Sequence, residues 1–482
     1  MKPTIWSEAR YPRDTTLPAT TPSETDGSGE TKQATNAYRS EHQRDFDRLL
    51  FSAPVRRLSD KTQVWPMDLN DGVRTRLTHS HEVANLARSI GAKIHAQCEK
   101  AFSADFHNVV APILQAISIC HDLGNPPFGH QGETAIARWF AGRPWIFVDL
   151  DNTRGARIPM VPDNLRDEFL QFDGNPQSIR LLTRLQTHVH DLGLDLTAAT
   201  IVSALKYPFP ASNYGNPDNP ISKKYGYFAS EYHIVEWARS ATGLKEGQRH
   251  PITWIMEACD DIAYSVLDAD DAMKKGVISP NDVLSILKKN ENICQKTIRI
   301  IETSFNKADA LNKDRNLIND IKISYLRAAL IDRLVDNASN RFIMNVESIN
   351  KYTHQMPLMD GDPLCDTLKK VARDYAFCHA DLLRAEALGA QALTDLMTWF
   401  WDAITARKKI DDILSRRTHP RAAYIFSLIS PNYKDAAANP RPETSQQGNL
   451  VRYRELRLLT DMVSGMTDTF ALNLWTRLRE MT

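Results

Sequence analysis

The chain contains no run of about 18 apolar residues, which argues against a membrane-spanning helix. Its first residues, MKPTIWSEARYPRD, lack the apolar stretch of a secretory signal. The six cysteines are scattered and never form a CxxC pair, so neither a zinc ribbon nor a disulfide framework is legible. Cys120 and Cys259 lie in apolar segments and read as buried thiols, and a reducing, cytoplasmic setting is expected. An excess of one charge is also missing. Lys plus Arg and Asp plus Glu number 59 each, so net charge gives no sign of nucleic-acid binding, although it leaves room for local basic patches. No repeat of about 20 to 50 residues is present, and alternating strand patterns are scarce.

The 482 residues suffice for roughly two or three average domains or one large one. Apolar residues make up 42% and charged residues 24%, the balance of a globular enzyme that stays in solution. Residues 14 to 36 are rich in Thr, Ser, Gly and Pro without apolar periodicity and read as a mobile loop or linker. A second polar, Pro-containing stretch runs from Pro431 to Gly448. Most of the remainder reads as helix. Val83, Leu86, Ala87 and Ile90 fall at helical spacing, with Thr78 or Ser80 available as a cap. Val109 to Cys120 is strongly apolar and ends at Gly-Asn-Pro-Pro. Ile255 to Ala272, Tyr325 to Ile343 and Leu383 to Ile404 are long and amphipathic. An all-α fold follows, with room for a short hairpin. Candidate metal ligands run from His79 to Asp260, so the catalytic core must fold as one unit. We place a largely flexible segment at 1–40, that core at 41–290 and further helices, packed on it and completing a ligand pocket, at 291–482.

The segment ICHDLGNPPFGHQGE places His121 and Asp122 side by side after an apolar helix. RTRLTHSHEV offers His79 upstream, and MEACDDIAYSVLD offers Asp260 downstream. Two imidazoles and two carboxylates suit a divalent transition metal or magnesium with positions left open. Asp260, Tyr264 and Asp268 are spaced i, i+4, i+8 and line one gently drifting helix face. Other residues invite plainer readings. His81 and His95 read as surface or satisfied core histidines, and Asp261 as solvated or supporting. Trp399, Phe400 and Trp401 read as core or subunit interface. Cys378 and His379 form an adjacent pair with no orienting partner.

The order His, His-Asp, Asp is that of the HD phosphohydrolases. The stretches RRLSDKTQVWP, RTRLTHSHEV, HDLGNPPFGHQGE, FDGNPQSIRLL, LKYP, KKYGYF, WIMEACDDIAYSVLDADDA and DMVSGMTDTFA resemble the bacterial deoxyguanosine triphosphate triphosphohydrolases, specifically the enterobacterial branch. They fall between Arg56 and Ala471 in the family's order.

The resemblance implies an all-α HD-domain metal phosphohydrolase fold with additional C-terminal helices. It implies attack of water on the α-phosphorus of dGTP, or of a wider set of dNTPs, yielding the deoxynucleoside and inorganic tripolyphosphate. His79, His121, Asp122 and Asp260 would hold Mn2+ or Mg2+. His130 and Glu133 match the catalytic pair beside the α-phosphate, where a His oriented by a carboxylate serves as acid or base. Arg76, one turn before His79, reaches towards the same phosphate. Lys206, Tyr207, Lys224 and Asn175 match substrate contacts, with Lys223 as a neighbour of Lys224, and Gln63 and Val64 match residues at the sugar and base. Tyr264 would exclude a 2′-hydroxyl, and Asp268 would accept from the 3′-hydroxyl. Glu386 aligns with a carboxylate that reads the guanine edge.

A homo-hexamer and activation by single-stranded DNA are likewise implied. Two features depart from the pattern. The spacing between HDLGNPPFGHQGE and FDGNPQ is short, and Arg416 and Arg417 do not align with the family's C-terminal substrate arginines. The alternatives are an HD phosphohydrolase of broader nucleotide specificity and a DNA- or nucleotide-regulated sensor with weak activity.

Overall fold

Val83, Leu86, Ala87, Ile90 and Ile94 are buried along one face of the Arg76–Gln97 helix. The computed structural model describes residues 3–12, 39–66, 72–151, 156–186, 191–215, 220–441, 444 and 448–481. The cap of this helix lies one turn earlier than the sequence suggested. Thr75 is the N-cap, its hydroxyl accepting the Thr78 N–H while the Thr78 hydroxyl accepts the Thr75 N–H. This reciprocal box satisfies two otherwise orphaned donors, and it brings Arg76 and His79 into the first turn.

The Ala111–Cys120 helix follows a π-helical turn at Phe106–Val110 and buries every residue except Gln115. A helix apolar all round belongs at the centre of a core, and it packs against the Arg76–Gln97 helix. The Pro251–Lys274 helix, capped by His250 with Pro251 at its first position, packs on both and on the Arg315–Met344 helix. Arg74 ties this group together. Its guanidinium meets Glu82 at 3.0 Å, Asp270 at 2.8 Å, and Asp271.

Helices from later in the chain pack on this group. Ala380–Thr405 lies against Gly129–Ala141, Val451–Ser464 and Asp468–Arg479. Phe400 and Trp401 are buried there and Trp399 partly so, which places this aromatic run in the core. Arg180, on the Gly174–Thr183 helix, is buried between Asp461 at 2.7 Å and Glu231 at 2.7 Å. The strands Val148–Asp151 and Ala156–Pro159 form one antiparallel hairpin, the only strand pair among the described residues. The all-α expectation therefore holds.

Two segments differ from the sequence reading. Residues 3–12 are packed: the carbonyls of Ser7 and Ala9 accept the N–H groups of Ala199 and Ala198, and Trp6 is buried edge-on to His250. Residues 14–36 lie outside the described residues. The polar stretch from Pro431 contains a helix, Pro431–Ala438, because Tyr433, Ala436 and Ala437 share a buried face that composition alone hides. All six cysteines are free, and Cys120 and Cys259 are buried. No helix among the described residues is long and apolar enough to cross a membrane.

Candidate metal centre and anionic-ligand cavity

Three elements converge on one point. His79 comes from the first turn of the Arg76–Gln97 helix, His121 from the end of the Ala111–Cys120 helix, and Asp260 from the middle of the Pro251–Lys274 helix. Their ligand atoms lie within 4.8 Å of one another. Asp260 Oδ1 is 3.5 Å from His79 Nε2 and 3.4 Å from His121 Nε2. Asp122 stands beside them, Oδ2 3.6 Å from His121 Nε2. The His121 Nδ1–H donates to the Ser118 carbonyl at 2.7 Å, which turns Nε2 towards the cluster. Such a hydrogen bond fixes the tautomer a metal ligand needs. Both His79 nitrogens and His121 Nε2 are buried without a hydrogen-bond partner. Buried polar atoms are rarely left so, and a divalent cation fits this mixed N/O donor set.

The electrostatics point the same way. Burial opposes charge on His121, yet the Asp122 and Asp260 carboxylates hold its pKa up at about 9. Burial also opposes the charge of Asp122 and Asp260. Arg76 and then His121 nevertheless keep Asp122 below the usual carboxylate range, as Lys206 and then His121 do for Asp260. Arg76 Nη1 donates to Asp122 at 2.5 Å and Lys206 Nζ to Asp260 at 3.0 Å. The carboxylates thus stay ionised and draw cations around them.

The cluster opens into a cavity of ≈ 360 Å³. Among the residues picked out from the sequence, Gln63, Arg76, His121, Asp122, His130, Glu133, Asn175, Lys206, Tyr207, Lys224, Asp260 and Tyr264 line it. His79 is buried behind this lining, 1% exposed. Asp268 is buried one turn beyond Tyr264, with Oδ2 unpartnered. Burial and then the neighbouring Asp271 push its carboxyl well above the ordinary range. Val64 is buried beside the lining residue Gln63, and Glu386 is half-buried on the Ala380–Thr405 helix; neither lines the cavity. Lys223 is exposed and outside it.

His130 and Glu133 occupy the first turns of the Gly129–Ala141 helix. The His130 ring is 77% exposed, with Nδ1 2.8 Å from Glu133 Oε2. That hydrogen bond, together with the carboxylate charge, raises the His130 pKa. Glu133 Oε1 accepts the Gly174 N–H at 2.7 Å. Glycine is required where the two loops touch: a Cβ on Gly174 would sit 2.1 Å from Asn125 Oδ1, and one on Gly124 2.1 Å from the Gly174 carbonyl. Lys224 pairs with Asp173, the cap of the Gly174–Thr183 helix; burial opposes its charge and Asp173 restores it.

Three further residues line the cavity: Asn125, Asp261 and Lys369. Asn125 Nδ2 donates to Asp122 at 2.6 Å, a bond that its place three residues on in the same motif could have suggested. Lys369 Nζ donates to Asp261 at 2.7 Å, which agrees with a supporting role for Asp261. Only the fold brings that pair together, from positions 108 residues apart. The other histidines singled out in the sequence stand away from the cluster. His81 is exposed, His95 stacks on Phe106, and His379 caps the Ala380–Thr405 helix beside an exposed Cys378.

No model of a known protein family matches the chain. Individual relatives do. The deoxyguanosinetriphosphate triphosphohydrolase-like protein of Listeria innocua is 30% identical over 461 residues, covering 94% of this chain and 96% of the relative. The deoxyguanosinetriphosphate triphosphohydrolase of Enterobacter sp. (strain 638) is 30% identical over 90% of this chain and 92% of the relative. The probable deoxyguanosinetriphosphate triphosphohydrolase of Pseudomonas aeruginosa is also 30% identical, over 89% and 90%. Equal identity to all three singles out no branch. Likeness at this level over nearly the whole of each partner extends well beyond a shared motif, and the chain belongs to the deoxyguanosinetriphosphate triphosphohydrolase family.

Proposed function

We propose that this protein hydrolyses dGTP to deoxyguanosine and inorganic tripolyphosphate, water attacking the α-phosphorus, with Mn2+ or Mg2+ as cofactor. The observation that carries this reading is the convergence of His79, His121 and Asp260 at the floor of a cavity walled by Arg76, Lys206 and Lys224. His79, His121, Asp122 and Asp260 would hold the ion, which supplies Lewis acidity at a phosphoryl oxygen and a more acidic water.

The protein's own groups account for the remaining steps. Arg76, Lys206 and Lys224 neutralise a triphosphate, and Tyr207 and Asn175 orient it. Arg76 and Lys206, paired here with Asp122 and Asp260, would turn to phosphate oxygens when those carboxylates serve as ligands to the ion. Glu133 fixes the His130 ring through Nδ1 and favours its protonated form, which supports Nε2–H as the acid for the departing 5′-oxygen. Tyr264 lies on the cavity wall one turn from Asp260, where its ring closes the space a 2′-hydroxyl needs. Asp268, one turn deeper, is the acceptor for the 3′-hydroxyl, and Gln63 with Val64 borders the sugar and base.

One observation favours a second reading, a broader dNTP range. Glu386, the residue matched to guanine recognition, stands outside the cavity lining, whereas Asp261 and Lys369 are part of it. The test is incubation with Mn2+ and each dNTP or NTP in turn, with products separated by ion exchange. Deoxyguanosine and tripolyphosphate from dGTP alone, lost in His121→Ala, support the first reading. Equal turnover of all four dNTPs supports the second. Binding without turnover would move weight to a nucleotide sensor that awaits an activator such as single-stranded DNA.

A further inference from the structure

The block DMVSGMTDTFA contributes nothing to the cavity wall, yet its turn grips two segments that do. Asp468 begins the Asp468–Arg479 helix and is buried. Its Oδ1 accepts the Phe128 N–H at 3.0 Å. Its Oδ2 accepts the Thr62 N–H at 3.0 Å and also the Thr62 hydroxyl. Four residues earlier, the Ser464 carbonyl accepts the buried Lys61 ammonium at 2.9 Å, and the same ammonium donates to the Asn125 carbonyl at 2.5 Å. One turn thus pins Lys61–Thr62, which lead into Gln63, against Asn125–Phe128, which lead into His130.

The grip falls on a residue that needs holding. Phe128 has φ 61°, in the left-handed region, without being glycine. Such a conformation persists only where the surroundings enforce it. Asp468 enforces it from the backbone side. Gly389 enforces it from the ring side, since a Cβ there would lie 2.5 to 2.8 Å from three Phe128 ring carbons. From Phe128 the chain turns directly into the helix that presents His130 and Glu133.

We propose that Asp468 and Lys61 are positioning residues of the hydrolytic site, clamping the Gln63 segment and the His130 segment in register across the cavity. The proposal rests on the reading of the site as a triphosphohydrolase. On the Lys61–Thr62 side the clamp also meets the start of the His79 helix, where the Arg76 N–H donates to the Lys61 carbonyl at 2.9 Å and Thr62 pairs with Thr75. It is therefore a variant on the Phe128 side that displaces His130 while leaving cation binding in place. A misplacement of about 1 Å at a reacting group costs on the order of a hundredfold in rate.

Two variants test it. Asp468→Asn keeps the side-chain shape but turns one acceptor oxygen into a donor facing a backbone N–H. Gly389→Ala pushes on the Phe128 ring from within a helix whose preference for alanine over glycine offsets part of the cost of crowding the ring, and its circular dichroism spectrum checks that it folds. Each is expected to lower kcat for dGTP by about 10- to 100-fold, and in Gly389→Ala, which leaves Lys61 and Thr62 untouched, Mn2+ affinity by calorimetry stays within about threefold. KM is expected to hold in Gly389→Ala, which acts on the Phe128 side alone. Hydrogen exchange reads the clamp without turnover, and peptides covering 60–63 and 125–130 are expected to exchange faster in Asp468→Asn. Wild-type kcat in both variants, with wild-type exchange in those peptides, would overturn the clamp. A wild-type protein that leaves dGTP intact would overturn the triphosphohydrolase reading instead, and the exchange data would still decide the clamp.

Discussion

His130 Nδ1 lies 2.8 Å from Glu133 Oε2, and the other oxygen of the same carboxylate accepts the Gly174 N–H, so one buried glutamate aims an exposed imidazole and locks the loop opposite. Glu133→Gln keeps the shape and removes the charge. Acid catalysis by a positioned side chain contributes about 10²- to 10⁴-fold, and kcat is expected to fall by about 10²-fold. The pH profile carries the sharper signature. The Glu133 hydrogen bond raises the His130 pKa, and the acid role needs the protonated ring, so activity declines as pH rises through that pKa. In Glu133→Gln this alkaline limb is expected to move to lower pH. A limb that stays in place would mean that His130 is not the titrating acid.

Cation binding is expected to be pH-dependent with a definite sign. Without a cation, His121 is held protonated to a pKa of about 9 by Asp122 and Asp260, against the cost of burial. A metal ligand must be deprotonated, so loading at neutral pH releases about one proton per ion from this ring. Affinity for Mn2+ is expected to rise with pH up to about 9 and then level off. Calorimetry in buffers of different ionisation enthalpy measures the proton count. Chelation with EDTA is expected to abolish turnover, and Asp260→Ala to abolish binding.

Sugar discrimination is assigned to Tyr264, which lines the cavity with its ring 5.9 Å from that of Phe377. Tyr264→Ala opens space beside the sugar and is expected to bring kcat/KM for GTP to within about tenfold of that for dGTP, a shift of about 1.4 kcal/mol for each factor of ten. Parallel kinetics with the two nucleotides check this. An unchanged preference would locate the discrimination elsewhere.

Acid stability is expected to depend on His250. Its ring is fully buried. Nε2–H donates to the Ile5 carbonyl at 3.0 Å, and Nδ1 caps the Pro251–Lys274 helix by accepting the Ile252 N–H. Burial depresses its pKa from 6.5 to about 3. The unfolded chain binds this proton below about 6.5 and the native state only below about 3, so the contribution is complete above 6.5 and is lost as pH falls between the two values. His250→Asn keeps a capping oxygen without the titration. Its melting temperature is expected to fall less than that of wild type between about pH 7 and pH 4; parallel curves would remove His250 from the account.

The helices were legible because buried positions recur along them, as at Val83, Leu86, Ala87 and Ile90. The convergence of His79, His121 and Asp260 was legible because HDLGNPPFGHQGE and its partner segments carry ligand residue types in order along the chain. The hidden parts have different physical causes. The Thr75 cap was missed because Thr78, which completes the capping box with it, itself looks like a cap. Lys369 and Asp261 meet only through tertiary packing, as do Lys61 and Ser464. The Pro431–Ala438 helix hides in polar composition because its buried face holds little more than one tyrosine and two alanines. Glu386, which aligns with a base-reading carboxylate, stands on the Ala380–Thr405 helix outside the cavity lining, a placement that sequence spacing does not reveal.

The central claim is water attack at the α-phosphorus with the 5′-oxygen leaving. Turnover of dGTP with Mn2+ in 18O-labelled water, followed by mass spectrometry of both products, tests it most directly. The account predicts one label in tripolyphosphate and none in deoxyguanosine. Label in deoxyguanosine, or products that are dGMP and pyrophosphate, would contradict it.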